Sequence, residues 1–195
     1  MEAKRISNSK GLLLEGPLII SVREFKDLRG SFFESWNQRD FNKAVGEDVI
    51  FVQDNHSKSF LGVLRGMHYQ LNPKPQGKLI RVSFGRIFDV IIDLRKDSLT
   101  YGTWAGLELD ANESKQFWIP PGFAHGFLTV SEFAEVQYKT TNFWEPNLER
   151  SIIWHDSQIN IIWPLDKFNI NTPFLSEKDS KAPSFLKAEK LGAIF

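Results

Sequence analysis

The feature that most constrains the fold is a series of short segments in which β-branched or aromatic residues alternate with polar ones. Residues 79–84 are the clearest example, and Gly85 and Arg86 separate them from a second apolar segment at 87–94. Strands of this length, repeated about every ten residues with turn residues between them, are typical of a β-sandwich or small β-barrel. The sequence therefore predicts an all-β fold.

Other segments add further strands to this pattern and predict short helices outside the β core. Further strands are predicted at 17–23, 48–54, 100–109, 116–120 and 133–140. A short helix is predicted over 38–45, ended by Gly46, and Ser176-x-x-Asp179 is a helix-start motif before a second helix at 183–191. No repeat or linker divides the chain. We therefore expect one domain over 1–195, with a core at about 17–165, short peripheral helices and a C-terminal helical appendage at 166–195.

Composition excludes several classes of function. Lys and Arg number 24, as do Asp and Glu, so the chain lacks the positive charge that nucleic-acid polymers require. It has no cysteine, which removes disulfides, thiolate metal sites and a cysteine nucleophile. The N-terminal region has only the apolar run 12–14, and no later stretch is apolar for the roughly 20 residues that span a bilayer. The expected location is the cytoplasm, with no membrane partner.

Two of the four histidines lie in segments with unusual local chemistry. His125 closes the motif Pro120-x-Gly122-x-x-His125, which resembles a turn of the cupin superfamily. Cupin metal sites usually contain an H-x-H pair, whereas His68 is followed by Tyr69 and Gln70 with no nearby carboxylate. Two imidazoles alone are a poor ligand set, so we expect no metal and no other cofactor. General acid–base chemistry is the natural alternative for these imidazoles. Strict strand alternation from Arg65 would place His68 on the face opposite Arg65.

Ordered motifs identify a family that this chain resembles. The sequence is similar to the dTDP-4-dehydrorhamnose 3,5-epimerases, which are cupin-fold enzymes of the dTDP-L-rhamnose pathway, and the similarity runs from about Pro17 to Pro183. Each motif alone is weak, but their order and spacing together are specific. The motifs are DLRGSFFE at 27–34, FVQDNHS at 51–57, LRGMHYQ at 64–70, QGKLIRV at 76–82, FDVIIDLR at 88–95, IPPGFAHGF at 119–127 and YKTTN at 138–142.

The resemblance implies a cupin-like jelly roll and a cofactor-independent isomerase. The implied reaction converts dTDP-4-dehydro-6-deoxy-D-glucose to dTDP-4-dehydro-L-rhamnose by epimerisation at C3 and C5 through an enolate. Hydrogens beside the C4 ketone are acidic, so the site needs a base, a cation near O4 and an acid on the opposite face of the sugar. The resemblance assigns His68 as the base, Asp179 of the C-terminal segment as the residue that orients it, Lys78 as the cation and Tyr138 as the proton donor.

The resemblance also implies the substrate-binding residues and an oligomer. Arginine suits bidentate contact with phosphate, and an aromatic ring can stack on the base. Trp144 stands where many members have a tyrosine for that stacking, and Asp89 is a weaker candidate as the partner of His125. A homodimer is implied, in which N-terminal strands extend the partner's sheet. In that dimer, Arg29 and Glu34 complete the pocket of the neighbouring subunit. The implied binding residues are Arg29, Glu34, Gln53, Asp54, Asn55, Arg65, His125, Trp144, Glu149 and Lys178.

Three alternatives remain open from the sequence. A close relative would epimerise only C3 or only C5 of a related dTDP-4-keto-6-deoxy sugar, or would isomerise the ketone. A metal-dependent cupin, such as a dioxygenase, would need a ligand set that the residues around His68 do not supply. A non-catalytic sugar-nucleotide-binding module would bind dTDP and exchange no substrate hydrogen.

Overall fold

The computed structural model describes residues 1–195 and contains thirteen strands, three short α-helices and one 3₁₀ helix, Asp166–Phe168. None of the helices is long and apolar enough to cross a membrane. The strands are β1 (Glu2–Ser7), β2 (Leu13–Ser21), β3 (Glu24–Asp27), β4 (Gly30–Phe33), β5 (Gln53–Phe60), β6 (Leu64–Gln70), β7 (Lys78–Phe84), β8 (Arg86–Asp93), β9 (Trp104–Asp110), β10 (Lys115–Ile119), β11 (Phe123–Thr129), β12 (Phe133–Thr140) and β13 (Glu149–Ser151). The helices are α1 (Gln38–Val45), α2 (Glu177–Ser180) and α3 (Phe185–Lys190).

Two antiparallel sheets form the body of the molecule. The six-stranded sheet has the order β1-β2-β10-β7-β12-β5, and the five-stranded sheet has the order β13-β6-β11-β8-β9. Side chains alternate between the faces of each strand, so Ile80 and Val136 from one sheet meet Ile91 and Phe127 from the other in a core between them. The prediction of an all-β, cupin-like sandwich is confirmed.

A second core covers the outer face of the five-stranded sheet. Val90 and Leu128 point outwards from this sheet and pack with Phe185, Ala188 and Ile194 of the C-terminal segment. The backbone N–H of Phe185 also donates to the buried carboxylate of Asp156 at 2.8 Å. The appendage predicted at 166–195 is therefore a packed layer of the fold, and α2 and α3 lie within the predicted helical region.

Helix α1 closes part of the outer face of the six-stranded sheet. Gly46 ends it with a φ of 87°, as the sequence predicts, and Asn37 caps its N-terminus. Phe41 of α1 packs against Trp118 and Val49. The prediction of a strand at 48–54 is wrong over 48–52. Val49 packs beneath α1 instead, and strand pairing in β5 begins only at Gln53.

The N-terminal strands form one edge of the six-stranded sheet of their own chain. β2 pairs with β10 of the same chain in the register Ser21↔Lys115, and β1 pairs with β2, so both strands extend their own sheet. The sheet thus begins at Glu2, before the core boundary expected near residue 17. The separate hairpin β3–β4 carries exposed Phe25, Leu28 and Phe32.

Candidate active site

A polar cavity of about 310 Å³ opens at one end of the sandwich, between the two sheets. Strands β5, β6, β7 and β12, the start of β13 and the loop after β12 supply its walls. Only two of its eight lining residues are hydrophobic, which is unusual for a space between two sheets and indicates a site for a polar ligand. The lining residues are Gln53, Asn55, His68, Gln76, Lys78, Tyr138, Trp144 and Glu149.

An irregularity in β6 places two predicted site residues on the same face of the sheet. His68 pairs with His125 and Arg65 pairs with Phe127, so three steps along β6 match two along β11. Residues two apart share a face, so Arg65 and His68 both point inwards with His125. This corrects the expectation from strict alternation. Gly66 lies at the irregularity, where a Cβ atom would come within 2.5 Å of the Cα of Gly126.

His68 contacts a carboxylate that comes from a distant part of the sequence. Nε2 of His68 lies 2.5 Å from Oδ1 of Asp179, which is almost fully buried in α2. Burial favours the protonated carboxyl, but hydrogen bonds from His68, Ser176 and the N–H of Gly66 outweigh it and hold the pKa of Asp179 below its usual value. An ionised Asp179 makes Nε2 the donor, so Nδ1 of His68 carries the free lone pair.

Lys78 provides a buried positive charge beside His68. Its Nζ donates to the backbone carbonyl of His68 at 3.2 Å. Burial lowers the pKa of Lys78 from 10.5 to about 8, against the opposing effect of the nearby charges of Glu149 and Asp89. The ammonium is thus retained at neutral pH, although its solvation has been largely removed.

Tyr138 approaches the cavity from the opposite sheet. It lies on β12 between Asn55 of β5 and Ile80 of β7, and alternation directs its side chain inwards. Burial and the negative charge of Glu149 raise the pKa of Tyr138 above its usual value, with a smaller opposing effect from Arg65. The phenol therefore keeps its proton at neutral pH and can act as a hydrogen-bond or proton donor.

His125 lies deeper between the sheets and also pairs with a carboxylate. Its Nε2 lies 2.9 Å from Oδ2 of Asp89, and both side chains are buried. Burial lowers the pKa of His125 and raises the pKa of Asp89, because each charged form loses solvation. The structure thus brings His125 into contact with Asp89, its weaker candidate partner, but His125 does not line the cavity.

The comparisons with known proteins identify the family. A profile of the family described as dTDP-4-dehydrorhamnose 3,5-epimerase matches residues 12–187. The chain belongs to this family. The dTDP-4-dehydrorhamnose 3,5-epimerase of Pseudomonas aeruginosa is 51% identical over 178 residues, which cover 91% of this chain and 96% of that protein.

Solved structures of the epimerase family and its relatives share the fold. The dTDP-6-deoxy-D-glucose-3,5-epimerase of Legionella pneumophila, in complex with dTDP-4-keto-L-rhamnose, is 38% identical with a TM-score of 0.88, covering 99% of this chain and 97% of that one. A 3'-monoepimerase from Streptomyces bikiniensis, in complex with dTDP-quinovose, is 30% identical with a TM-score of 0.86. The match covers 100% of this chain and 92% of that one. Enzymes with one and with two epimerised centres thus have closely similar folds.

Three predicted binding residues of this epimerase-family chain lie outside the cavity. Asp54 follows Gln53 in β5 and so points to the outer face of the sheet, where it forms an ion pair with Lys139 at 3.0 Å. Asp54 therefore does not line the cavity of its own chain, and its assignment as a binding residue stays a prediction. Arg29 lies on the exposed hairpin and contacts Asp27, and Glu34 follows that hairpin in an exposed position.

The other predicted binding residues lie at or beside the cavity. Lys178 of α2 forms an ion pair with Glu149, whose pKa stays below its usual value because this contact outweighs burial. Arg65 donates to Ser59 Oγ at 3.0 Å. Sequence reasoning assigned no role to Gln76, although it lines the cavity and lies in a motif that carried the resemblance. No group of three or more His, Cys, Asp or Glu side chains converges so as to hold a metal ion.

Proposed function

We propose that this epimerase-family chain converts dTDP-4-dehydro-6-deoxy-D-glucose to dTDP-4-dehydro-L-rhamnose by proton transfer at C3 and C5. The observation that carries the proposal is the grouping of His68 with Asp179, of Lys78 and of Tyr138 around one polar cavity. The ligand in the Legionella relative, dTDP-4-keto-L-rhamnose, supports the choice of substrate class.

The first proposed step is removal of a carbon-bound proton beside the ketone. The proton moves from C3 or C5 to Nδ1 of His68, and the electron pair of the broken C–H bond forms the enolate with its charge on O4. Asp179 stabilises the resulting imidazolium through its contact with Nε2. Lys78 stabilises the negative charge on O4, where a desolvated ammonium acts more strongly than it would in water.

The second proposed step returns a proton from the other face of the sugar. Tyr138 donates its phenolic proton to the carbon, and the enolate electrons form the new C–H bond. The phenolate then recovers a proton from solvent, and the imidazolium of His68 releases one to solvent. A phenol is a weak acid in water, but a carbanionic enolate is a strong base, so the transfer is downhill. The positions of His68 and Tyr138 on opposing sheets support inversion at each centre.

The nucleotide is assigned to the outer part of the cavity. Trp144 is half exposed at its mouth and offers a flat surface to the thymine ring. Gln53 and Asn55 supply amide groups, and Arg65 and Lys178 supply charge for the diphosphate. No redox cofactor or metal has a part in the proposed reaction.

The proposal is tested by incubation with dTDP-4-dehydro-6-deoxy-D-glucose in D₂O, followed by proton NMR. Deuterium should enter both C3 and C5, and the rhamnose configuration should appear. Exchange at C3 alone would instead favour activity like that of the Streptomyces 3'-monoepimerase. Binding of dTDP with no exchange at all would support the non-catalytic binding module and contradict the proposal.

The buried ammonium of Lys78 predicts a pH dependence. Because its pKa is lowered to about 8, Lys78 is protonated below that pH and loses its charge above it. Turnover should therefore fall as pH rises through about 8, measured as kcat/KM. In Lys78→Arg the cation persists at high pH, so this fall should disappear even if the maximal rate is lower. An unchanged fall in Lys78→Arg would assign it to another group.

We also propose that the active unit is a homodimer of single-domain chains. Within each chain, residues 166–195 complete the site because α2 supplies both Asp179 and Lys178. The hairpin β3–β4 pairs only with itself, carries exposed Phe25 and Phe32, and holds Arg29 away from its own cavity. Such a projection suits insertion beside a second copy, where Arg29 and Glu34 would reach the partner's pocket.

Mixed dimers provide a test of this shared site. Arg29→Ala and His68→Asn should each be nearly inactive alone, but after mixing by unfolding and refolding, one site in each mixed dimer has both residues. Random pairing should restore about a quarter of the wild-type activity, since half the dimers are mixed and one of their two sites is intact. No recovery, despite mixed dimers detected by mass spectrometry, would place Arg29 in the site of its own chain.

A further inference from the structure

Gln70 is a buried amide that joins two loops at the edge of the candidate site. It is the last residue of β6 and is 2% exposed. Its Nε2 donates to the carbonyls of Lys74 and Phe143, the latter at 3.0 Å. Its Oε1 accepts from the N–H of Glu145 at 2.8 Å. Both amide hydrogens and the amide oxygen are therefore used, and all their partners are backbone groups.

Two of these bonds lie on either side of Trp144. The carbonyl of Phe143 and the N–H of Glu145 belong to the residues immediately before and after it, so Gln70 fixes the backbone from which the indole projects. The N–H of Trp144 itself donates to Oε1 of Gln53 at 3.1 Å. Three successive residues are thus held by two glutamine side chains, while the indole stays 55% exposed.

Gln70 does not line the cavity, whereas Trp144 and Gln53 do. Its effect on a ligand must therefore pass through the loop that it holds. We propose that Gln70 is a positioning residue that sets the orientation of Trp144 for stacking on the nucleobase. This inference rests on the proposed function, because it takes the nucleobase to be the group that Trp144 meets.

The physical basis is the cost of ordering an exposed aromatic residue. Without the bonds from Gln70, the segment around Trp144 would have to be ordered by the ligand, and that entropy cost would reduce affinity. The chemistry at His68 and Tyr138 would change little, since neither residue bonds to Gln70. Loss of Gln70 should therefore weaken nucleotide binding and raise KM, with a much smaller effect on kcat.

A double-mutant cycle between Gln70→Met and Trp144→Ala tests the inference. Methionine keeps the length of the side chain and removes all three hydrogen bonds. Gln70→Met should raise the Kd for dTDP and the KM about tenfold, which corresponds to loss of about one well-made hydrogen-bonding interaction, and should leave kcat within about threefold. In the Trp144→Ala background, the same change should raise Kd by less than about twofold, because the effect passes through Trp144.

Two further variants keep the test decisive. Gln70→Glu retains the acceptor for Glu145 and loses both donors, so it should show the same KM increase if the methionine variant does not fold. Asn8→Leu is a matched control, since Asn8 is a buried amide with three hydrogen bonds far from the cavity, two that hold the turn at residues 8–12 and one to Thr103. It should lower Tm and leave the Kd for dTDP unchanged.

The possible failures can be told apart. Equal effects of Gln70→Met with and without Trp144, or a fall in kcat with unchanged KM, would overturn the positioning role. Unchanged dTDP affinity in Gln70→Met, with weaker binding in Trp144→Ala, would also overturn it. If the wild-type chain does not bind dTDP, the proposed function itself has failed.

Discussion

Replacing His68 with asparagine should reduce hydrogen exchange and epimerisation by about 10³-fold or more, within the range of about 10²–10⁴-fold for loss of a general base. Asparagine keeps a polar group of similar size next to Asp179 but has no nitrogen that can accept the carbon-bound proton. The rate is measured by proton NMR in D₂O with the 4-keto sugar nucleotide. The affinity for dTDP, measured by calorimetry, should stay within about threefold, because the nucleotide is assigned to the outer part of the cavity.

His155→Asn is a matched control for this result. His155 is an exposed histidine beside Trp154, and it does not line the cavity. The exchange rate of His155→Asn and its affinity for dTDP should equal those of the wild type. Exchange that persists in His68→Asn at near wild-type rate would require a different base, and His125 with Asp89 would then be the next pair to test.

Tyr138→Phe should separate exchange from inversion. The variant keeps the aromatic ring between Asn55 and Ile80 but has no proton to deliver from the second sheet. Net formation of the rhamnose configuration should fall by about 10²-fold or more, within the range for loss of a general acid. Deuterium should still enter the starting sugar at a rate reduced less than product formation, because His68 can return a solvent-derived proton to the face from which it removed one.

Deuterium exchange into the starting sugar and formation of the product are measured in the same NMR time course. Tyr101→Phe is the control, since Tyr101 bonds to Glu189 of α3 and lies away from the cavity. It should change Tm and leave the ratio of exchange to inversion unchanged. Equal losses of exchange and inversion in Tyr138→Phe would mean that Tyr138 acts before the proton is removed, for example by binding O4.

The sequence predicted the parts of the fold that depend on local patterns. Helix α1 matches the prediction over 38–45, and Gly46 marks its end in the sequence. The segment 48–52 was taken for a strand because buried residues that pack beneath a helix can have the same alternation as a strand. The irregularity at Gly66 was missed, since it depends on the close approach of Gly126 from another strand.

The residues of the candidate site were predicted mainly through the resemblance. The structure added the contacts between them and the directions of their side chains. The ordered motifs contain His68, Lys78 and Tyr138, and the resemblance added Asp179 from outside them. The structure brings the three strand residues to one cavity and Asp179 into contact with His68. Alternation alone indicates that Asp54 faces away from the cavity of its own chain, because it follows Gln53 in a strand. The role of Gln70 required coordinates, since its partners are backbone groups of two loops that composition does not identify.

The contact between His68 and Asp179 has a consequence for thermal and chemical stress. It joins residues 111 positions apart, and one of them lies in a helix of four residues. Short peripheral elements open at a lower free energy than the central strands of a sheet. Brief detachment of α2 would deprive the base of its carboxylate while both sheets remain folded. For the proposed mechanism we therefore expect heat or denaturant to reduce catalysis through local opening of α2 before the two sheets unfold.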